Sequence, residues 1–374
     1  AFYGSTDVGR LTMSTTKPEN DLPGIGEEQI DLLERLSNAC GVSGDEGEVR
    51  KIVLEQVKPY ADDVKVDALG NVLVTRRGQG EPRLKVMLAA HMDEVGMMLT
   101  IDEGDGIYRF EQVGGLDPSV LVGKPVWIGK DHVPGVIGFK PIHLTDADER
   151  KRPVTLDGLR IDTGPVGGKV KAGDRATFAT SFTRVGPSLR GKALDDRIGV
   201  ATLIELVKHA PPHIDLQAAF TVQEENGLRG ARVAAYALDP DVAMVLDSTP
   251  AYDQPVWDDT ENSRYNTRLG YGPAIYVADG ATLSDPRLVQ LLVQTAEAQG
   301  IPYQVRQPGS GGTDAGAIHK QRAGIPSVSV SVPGRYHHSP VALVRLSDWQ
   351  HTLTLVAAAL LRLQPDFLTS QERP

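Results

Sequence analysis

Residues 84–90, LKVMLAA, form a nearly unbroken apolar run that stops at His91, with Asp93 and Glu94 close behind. The lack of alternation predicts a strand covered on both faces, since a strand with one wet face shows every second residue polar. Upstream, EEQIDLLERLSN (27–38) carries apolar residues at helical spacing. GVSGDEGEVRKIVLEQV (41–57) reads as a second helix, for which Ser43 is the expected N-cap and acidic residues fill the first turn. VKVDALGNVLVTRR (64–77) reads as a hairpin turning at Gly-Asn.

From about residue 100 to 188 the pattern changes. Short alternating segments (GIYRFEQV, KPVWIG, PGVIGF, LRIDTG, RATFAT) are separated by Gly, Pro and Asp, with no long helical period. This predicts a small β-barrel or β-domain. After Lys192 helices and strands alternate: IGVATLIELVKHA, LQAAFTVQEE, LRGARVAAYAL, VAMVLD, DPRLVQLLVQTAEAQG, PSVSVSV, and a last helix from about Ser347. Alternation of this kind implies a parallel or mixed sheet with helices on both faces. The expected fold is therefore a three-layer α/β/α domain at 27–99 and 189–374, interrupted by a β-barrel at 100–188 and preceded by a tail at 1–26.

The net charge of −10 disfavours nucleic acid and anionic membrane as partners, because both select basic surfaces. A single cysteine, Cys40, excludes an intrachain disulfide framework and fits a cytoplasmic setting. No apolar run approaches the roughly 18 residues of a membrane span, and residues 1–25 lack the apolar centre of a signal peptide.

The candidate chemistry collects where strands end or helices begin: His91-Met-Asp93, Asp195-Asp196, Glu224-Glu225, Asp247 and His337-His338-Ser-Pro. Each has an ordinary structural use. Paired aspartates cap helices, adjacent glutamates sit on solvated turns, and a lone Asp after a strand is a turn residue. Together they are better explained by one pocket, because ligands of open α/β sheets bind at the carboxyl ends of strands. Histidines and carboxylates without cysteine suit zinc, cobalt or manganese. Two ions need a bridging carboxylate, an open position for water and one carboxylate kept free to carry a proton.

In order, AAHMDEVG, KALDDRIG, VQEENGLRGA, LDSTP, GGTDAG and YHHSP resemble the motifs of the dinuclear metallo-aminopeptidases of the tetrahedral (TET) type. That family includes glutamyl and deblocking aminopeptidases and members called endoglucanases. The resemblance runs from about Leu32 to Leu361, and GVIGFKPIHL, IDTG and AGDRATF resemble segments of the family's inserted barrel. It implies metal ligation by His91, Asp195, Glu225, Asp247 and His338, with Asp195 bridging two divalent ions, most simply zinc. It implies that Asp93 orients the His91 ring and that Glu224 is the general base and acid. Gly311, Gly312 and Thr313 are expected beside the substrate, although GSGGTDAG also suits a flexible helix start. Ser248-Thr249-Pro250 after Asp247, and VGGKVKAG, which lacks the acidic helix-like stretch expected before the second barrel strand, depart from the family pattern.

The expected activity is hydrolysis of N-terminal residues from peptides. A metal-dependent deacylase or carboxypeptidase is the enzymatic alternative, and a non-catalytic assembly protein the non-enzymatic one. A glycosidase would need two isolated carboxylates across a cleft, which no pair here suggests. The resemblance also implies a homo-oligomer built from barrel-mediated dimers, up to a tetrahedral dodecamer.

Overall fold

The computed structural model describes residues 22–164, 170–254, 267–309 and 311–370. Most of the expected tail, 1–21, and residues 165–169 within VGGKVKAG lie outside them. The chain opens with α1 (Glu27–Asn38) and α2 (Gly47–Val57). The expected cap Ser43 sits apart from α2, whose N-cap is Glu46. The Ser43 hydroxyl is instead donated to the Asp93 carboxylate, a tertiary partner 50 residues away.

The hairpin β1 (Asp63–Val66) and β2 (Val72–Arg76) turns through Gly70 at φ +104°, a value glycine adopts without strain. The Asp67 side chain closes that turn by accepting the backbone N–H groups of Leu69, Gly70 and Asn71. Next comes β3 (Leu84–His91), whose alternate faces pack into two different cores. Val86, Leu88 and Ala90 face the core formed with α1 and α2, while Met87 and Ala89 face the opposite one. Two apolar faces account for the missing alternation in its sequence.

Five residues beyond His91 the chain enters a closed six-stranded barrel. Its strands are β4 (Gly96–Gly104), β5 (Ile107–Val113), β6 (Pro125–Ile128), β7 (Val133–Gly138), β8 (Arg160–Asp162) and β9 (Arg175–Phe178), in the order β4-β5-β8-β7-β6-β9. Met97, Leu99, Phe110, Ile128, Ile137, Ile161 and Phe178 fill its own core. The barrel thus runs from Gly96 to Phe178, not over the expected 100–188. The strands β10 (Thr183–Val185) and β11 (Ser188–Gly191) pair with each other and, through β11, with the large sheet.

The α/β layers resume with α3 (Leu194–Lys208), β12 (Ile214–Thr221), α4 (Arg229–Leu238) and β13 (Val242–Pro250). There follow β14 (Ala274–Tyr276), α5 (Pro286–Gln299), β15 (Gln304–Arg306), the short α6 (Ala315–Ile318) and β16 (Ser327–Arg335). The chain closes with β17 (Ala342–Arg345), α7 (Leu346–Arg362) and α8 (Phe367–Ser370). The sheet order is β1-β2-β12-β3-β13-β16-β17-β11-β10, with β14 and β15 attached beside β16. Its centre, β12-β3-β13-β16, is parallel, and the edges are antiparallel. Residues of α1, α2, α3, α5 and α7 cover one face, and those of α4 and α6 the other. Among the described residues, no helix is long and apolar enough to cross a membrane.

Candidate metal centre

The parallel register brings the acidic and histidine clusters together. His91 at the end of β3 lies opposite Thr221 at the end of β12, and Glu224 and Glu225 follow three and four residues later. On the other side Ala89 pairs with Val245, so two further residues along both strands bring Asp247 beside His91. Asp247 does not end its strand, as the sequence suggested: β13 continues to Pro250, paired with Gly334 of β16. Beyond β16 the loop Tyr336-His337-His338 turns back over the same strand ends. Asp195 arrives from the first turn of α3, where Asp195 and Asp196 depart from helical backbone and the peptide between them is cis.

Among the described residues three donor groups result here: one joins His91, Glu224 and Glu225, and the other two share Asp195. In one of these two, His91 Nε2 lies 3.2 Å from Asp195 Oδ1 and 3.9 Å from Asp247 Oδ1. In the other, His338 Nε2 lies 3.6 Å from Asp195 Oδ2 and 3.3 Å from Glu225 Oε2. Ligands bound about 2.0–2.2 Å from a tetrahedral zinc ion stand roughly 3.3–3.6 Å from one another, so both groups are close to coordinating separation. Glu224 Oε2 is 4.0 Å from His91 Nε2 and can stay free of both groups. His337 also reaches Asp195, through Nδ1 at 3.2 Å, and that same nitrogen contacts the Ser248 hydroxyl at 3.1 Å.

Asp93 is fully buried and does more than face the His91 ring. The ring nitrogen Nδ1 lies 3.2 Å from the Asp93 carbonyl oxygen and 3.5 Å from its carboxylate. The carboxylate oxygens accept the backbone N–H groups of Glu224 at 3.0 Å and Glu225 at 3.2 Å, besides the Ser43 hydroxyl. Asp93 therefore fixes the turn that presents both glutamates. Asp196 plays a similar part, accepting the N–H of His91 at 3.2 Å and of Gly199 at 3.0 Å. Glu94 points away from the cleft into a buried cluster, accepting from Lys192 Nζ at 2.8 Å, from Arg197 at 3.2 Å and from Thr177 at 2.7 Å. Arg197 also donates to the Met92 carbonyl at 2.9 Å, so this ion cluster holds the segment between His91 and Asp93 from below.

The electrostatics match an anionic cage. Burial, with the neighbouring carboxylates added, raises Glu224 and Asp247 well above the ordinary range and pushes Glu225 up to about 7. At Asp195 burial acts upward too, but hydrogen bonds from His337, His338 and His91 outweigh it and hold the group well below normal. Carboxylates pressed together at this density favour a bound cation, which lowers the cost of their burial. Carboxylates and imidazoles converging at near-coordinating distances fit divalent metal ions.

The cluster forms the floor of a cleft of about 690 Å³. Its walls include Leu228, Ser248, Tyr276, Arg306, Gly311 and Gly312. The Arg306 guanidinium lies 4.4 Å over the Tyr276 ring. Thr313 differs from its two neighbours: it is buried behind the wall, with its hydroxyl 2.7 Å from that of Ser329, so it supports the glycine loop without facing the cleft. Sequence reasoning took Ser43 for a helix cap, left Asp196 as the neighbour of a ligand, and gave no role to Tyr276, Arg306 or the cluster of Glu94, Lys192 and Arg197. The only sequence signal for the last of these was charge placed directly after an apolar strand and at a helix start.

Comparisons with known proteins agree with this arrangement. The family described as M42 glutamyl aminopeptidase matches residues 70–355. A lysyl aminopeptidase of Pyrococcus furiosus is 34% identical, over 90% of this chain and 97% of its own. The crystal structure of a TET aminopeptidase from a marine-sediment Thaumarchaeota archaeon superposes with a TM-score of 0.87 at 35% identity, covering 92% of this chain and 99% of that one. A TET1 peptidase of Pyrococcus horikoshii, described as assembling into a tetrahedron or a large octahedral shell, superposes with a TM-score of 0.78 at 32% identity, covering 88% and 98%.

Proposed function

Because this chain belongs to the M42 glutamyl aminopeptidase family and is an aminopeptidase, we propose that it works with two divalent ions, zinc in the first instance and cobalt or manganese as substitutes. The observation that carries this reading is the Asp195 carboxylate, which turns one oxygen to His91 and the other to His338. His91 and Asp247 serve one ion, Glu225 and His338 the other, and Asp195 is common to both. Ions held by these residues would supply polarisation of the scissile carbonyl and acidification of water.

Glu224 takes the proton of the attacking water and returns it to the leaving amine. Its raised proton affinity and its place in the cleft beside His91 support that role. Asp93 acts through the others, holding the ring and the glutamate turn. Gly311 and Gly312 flank the substrate, with Thr313 packed beneath them.

For the assembly, we propose barrel-mediated dimers that build a larger closed shell, as described for the Pyrococcus horikoshii protein. The barrel displays Phe139, Ile142 and Leu144, more than half exposed, on one connection; such apolar surface favours a partner. Light scattering tests this: a monomer at micromolar concentration contradicts it. We further propose a cytoplasmic setting, which the single cysteine supports.

The activity itself is tested by comparing free-amine and N-acylated peptides with and without a chelator. Release of N-terminal residues from free-amine peptides only, abolished by chelation and restored by zinc or cobalt, is the expected result. Preference for the acylated peptides points to the deacylase.

A further inference from the structure

Away from the cleft, a second set of metal-binding side chains meets at the seam between the α/β domain and the barrel. Cys40 follows α1, Glu48 lies in the first turn of α2, and His132 sits in the turn between β6 and β7. One donor atom from each lies within 4.8 Å of the other two. Among the described residues this is the one such group lying outside the catalytic cleft. Glu48 Oε1 contacts His132 Nε2 at 2.5 Å, and Glu48 Oε2 accepts the Cys40 backbone N–H at 3.0 Å. Cys40 and Glu48 border a cavity of about 310 Å³ whose wall also includes Trp127, Gly129 and Thr177. A water molecule's share of liquid volume is about 30 Å³, so an ion with a water ligand has room.

We propose that Cys40, Glu48 and His132 form a further site for a divalent transition-metal ion of the zinc or cobalt type, bridging α2 and the barrel. Thiolate, imidazole and carboxylate are the donors zinc takes in protein sites, and water completes four-coordination. The thiolate and carboxylate cancel the ion's two charges. The loaded site is therefore neutral beside Arg50, Lys51, Lys130 and Arg175, which line the same cavity. Burial holds the Cys40 thiol protonated, at a pKa of about 12, so loading releases its proton to solvent. His132 holds a left-handed backbone (φ +49°), uncommon for a residue with a side chain, and turns its ring toward α2.

The ion's role follows from its surroundings. The residue after Cys40 is Gly41, whose N–H is donated to Glu94 at 2.9 Å, and Glu94 anchors the base of the catalytic strand end. A clamp here fixes the barrel against the element that positions Asp93. It is a structural site, since no side chain of the cleft reaches it.

Cysteine makes the test specific. Cys40 is the single cysteine in 374 residues, so any thiolate-to-cobalt charge-transfer band in the near ultraviolet arises there, whatever the cleft binds. The full-length protein is stripped with chelator and titrated with cobalt(II). The expected result is such a band, lost in Cys40→Ser with peptide turnover unchanged, and shifted to about tenfold or more higher cobalt in His132→Asn and Glu48→Gln. Absence of the band in the cobalt-loaded wild-type protein overturns the proposal without reference to any variant. A band that titrates identically in His132→Asn and Glu48→Gln overturns the three-residue site.

Discussion

Replacing Asp93 by Asn changes one atom at the centre of the site's support. Both Asp93 oxygens accept backbone N–H groups, Glu224 on Oδ1 and Glu225 on Oδ2. Whichever way the amide lies, its NH₂ faces one of those donors. One charge-assisted hydrogen bond is lost inside a fully buried environment. Such bonds contribute about 1.5–3 kcal/mol. At 1.36 kcal/mol per tenfold in rate, the expected loss is roughly 10- to 150-fold in kcat/KM. The loss should fall on kcat, because the displaced turn carries Glu224, the proposed proton carrier, whereas Gly311 and Gly312 are untouched. Ser43→Ala removes the hydroxyl bond but leaves both N–H contacts, and its effect should be smaller. The assay is steady-state hydrolysis of an aminoacyl anilide at saturating metal, with thermal unfolding run alongside. A change in kcat/KM of less than about threefold for Asp93→Asn, with unaltered metal affinity, refutes the assigned support role.

Other perturbations separate the remaining parts. Asp247→Ala and His338→Ala should each lose one ion by elemental analysis, and Asp195→Ala should lose both; equal metal content in all three rules out the shared-carboxylate arrangement. Glu94→Gln leaves Lys192 and Arg197 buried with too little negative charge. Its denaturation midpoint should fall by the equivalent of about 3–5 kcal/mol, and an unchanged midpoint excludes the buried cluster as a source of stability. Gly230→Ala drives a Cβ into Asn71 Oδ1 and the Val222 carbonyl at the start of α4, directly after the segment that carries Glu224 and Glu225. Overpacking of this kind costs about 1–3 kcal/mol, and wild-type stability would show that the turn is free to move.

Local pattern carried much of the fold. The helix at 27–38 has the same ends in sequence and structure, because its apolar spacing and its boundaries are both local. The strand ending at His91 was legible because two apolar faces leave no alternation. Ser43 misled because a serine followed by acidic residues satisfies a helix cap locally, whereas its partner Asp93 comes from a distant strand. The barrel's far edge was set too late because residues 183–191 look like any short strand. They join the large sheet only through β17, more than 150 residues downstream. Asp247 read as a strand end because charge usually stops a strand, yet pairing with β16 carries β13 three residues further.

The cleft cluster was readable for a different reason. Its members sit at strand exits, and a parallel sheet brings such exits to one edge. Thr313 packs against Ser329 while Gly311 and Gly312 line the cleft, because adjacency in sequence says nothing about which residue turns inward. The group of Cys40, Glu48 and His132 had no signal at all: 92 residues separate its first and last members, and only the docking of the barrel brings them together.

The most direct test of the central claim is Glu224→Gln, measured for metal content and turnover on one preparation. The substitution keeps the shape of the side chain and removes its ability to carry a proton. The account predicts wild-type metal content with kcat reduced about 10²- to 10⁴-fold, the usual contribution of a positioned acid–base group. Full metal content with turnover near that of the wild type would contradict it and return the proton transfer to another residue.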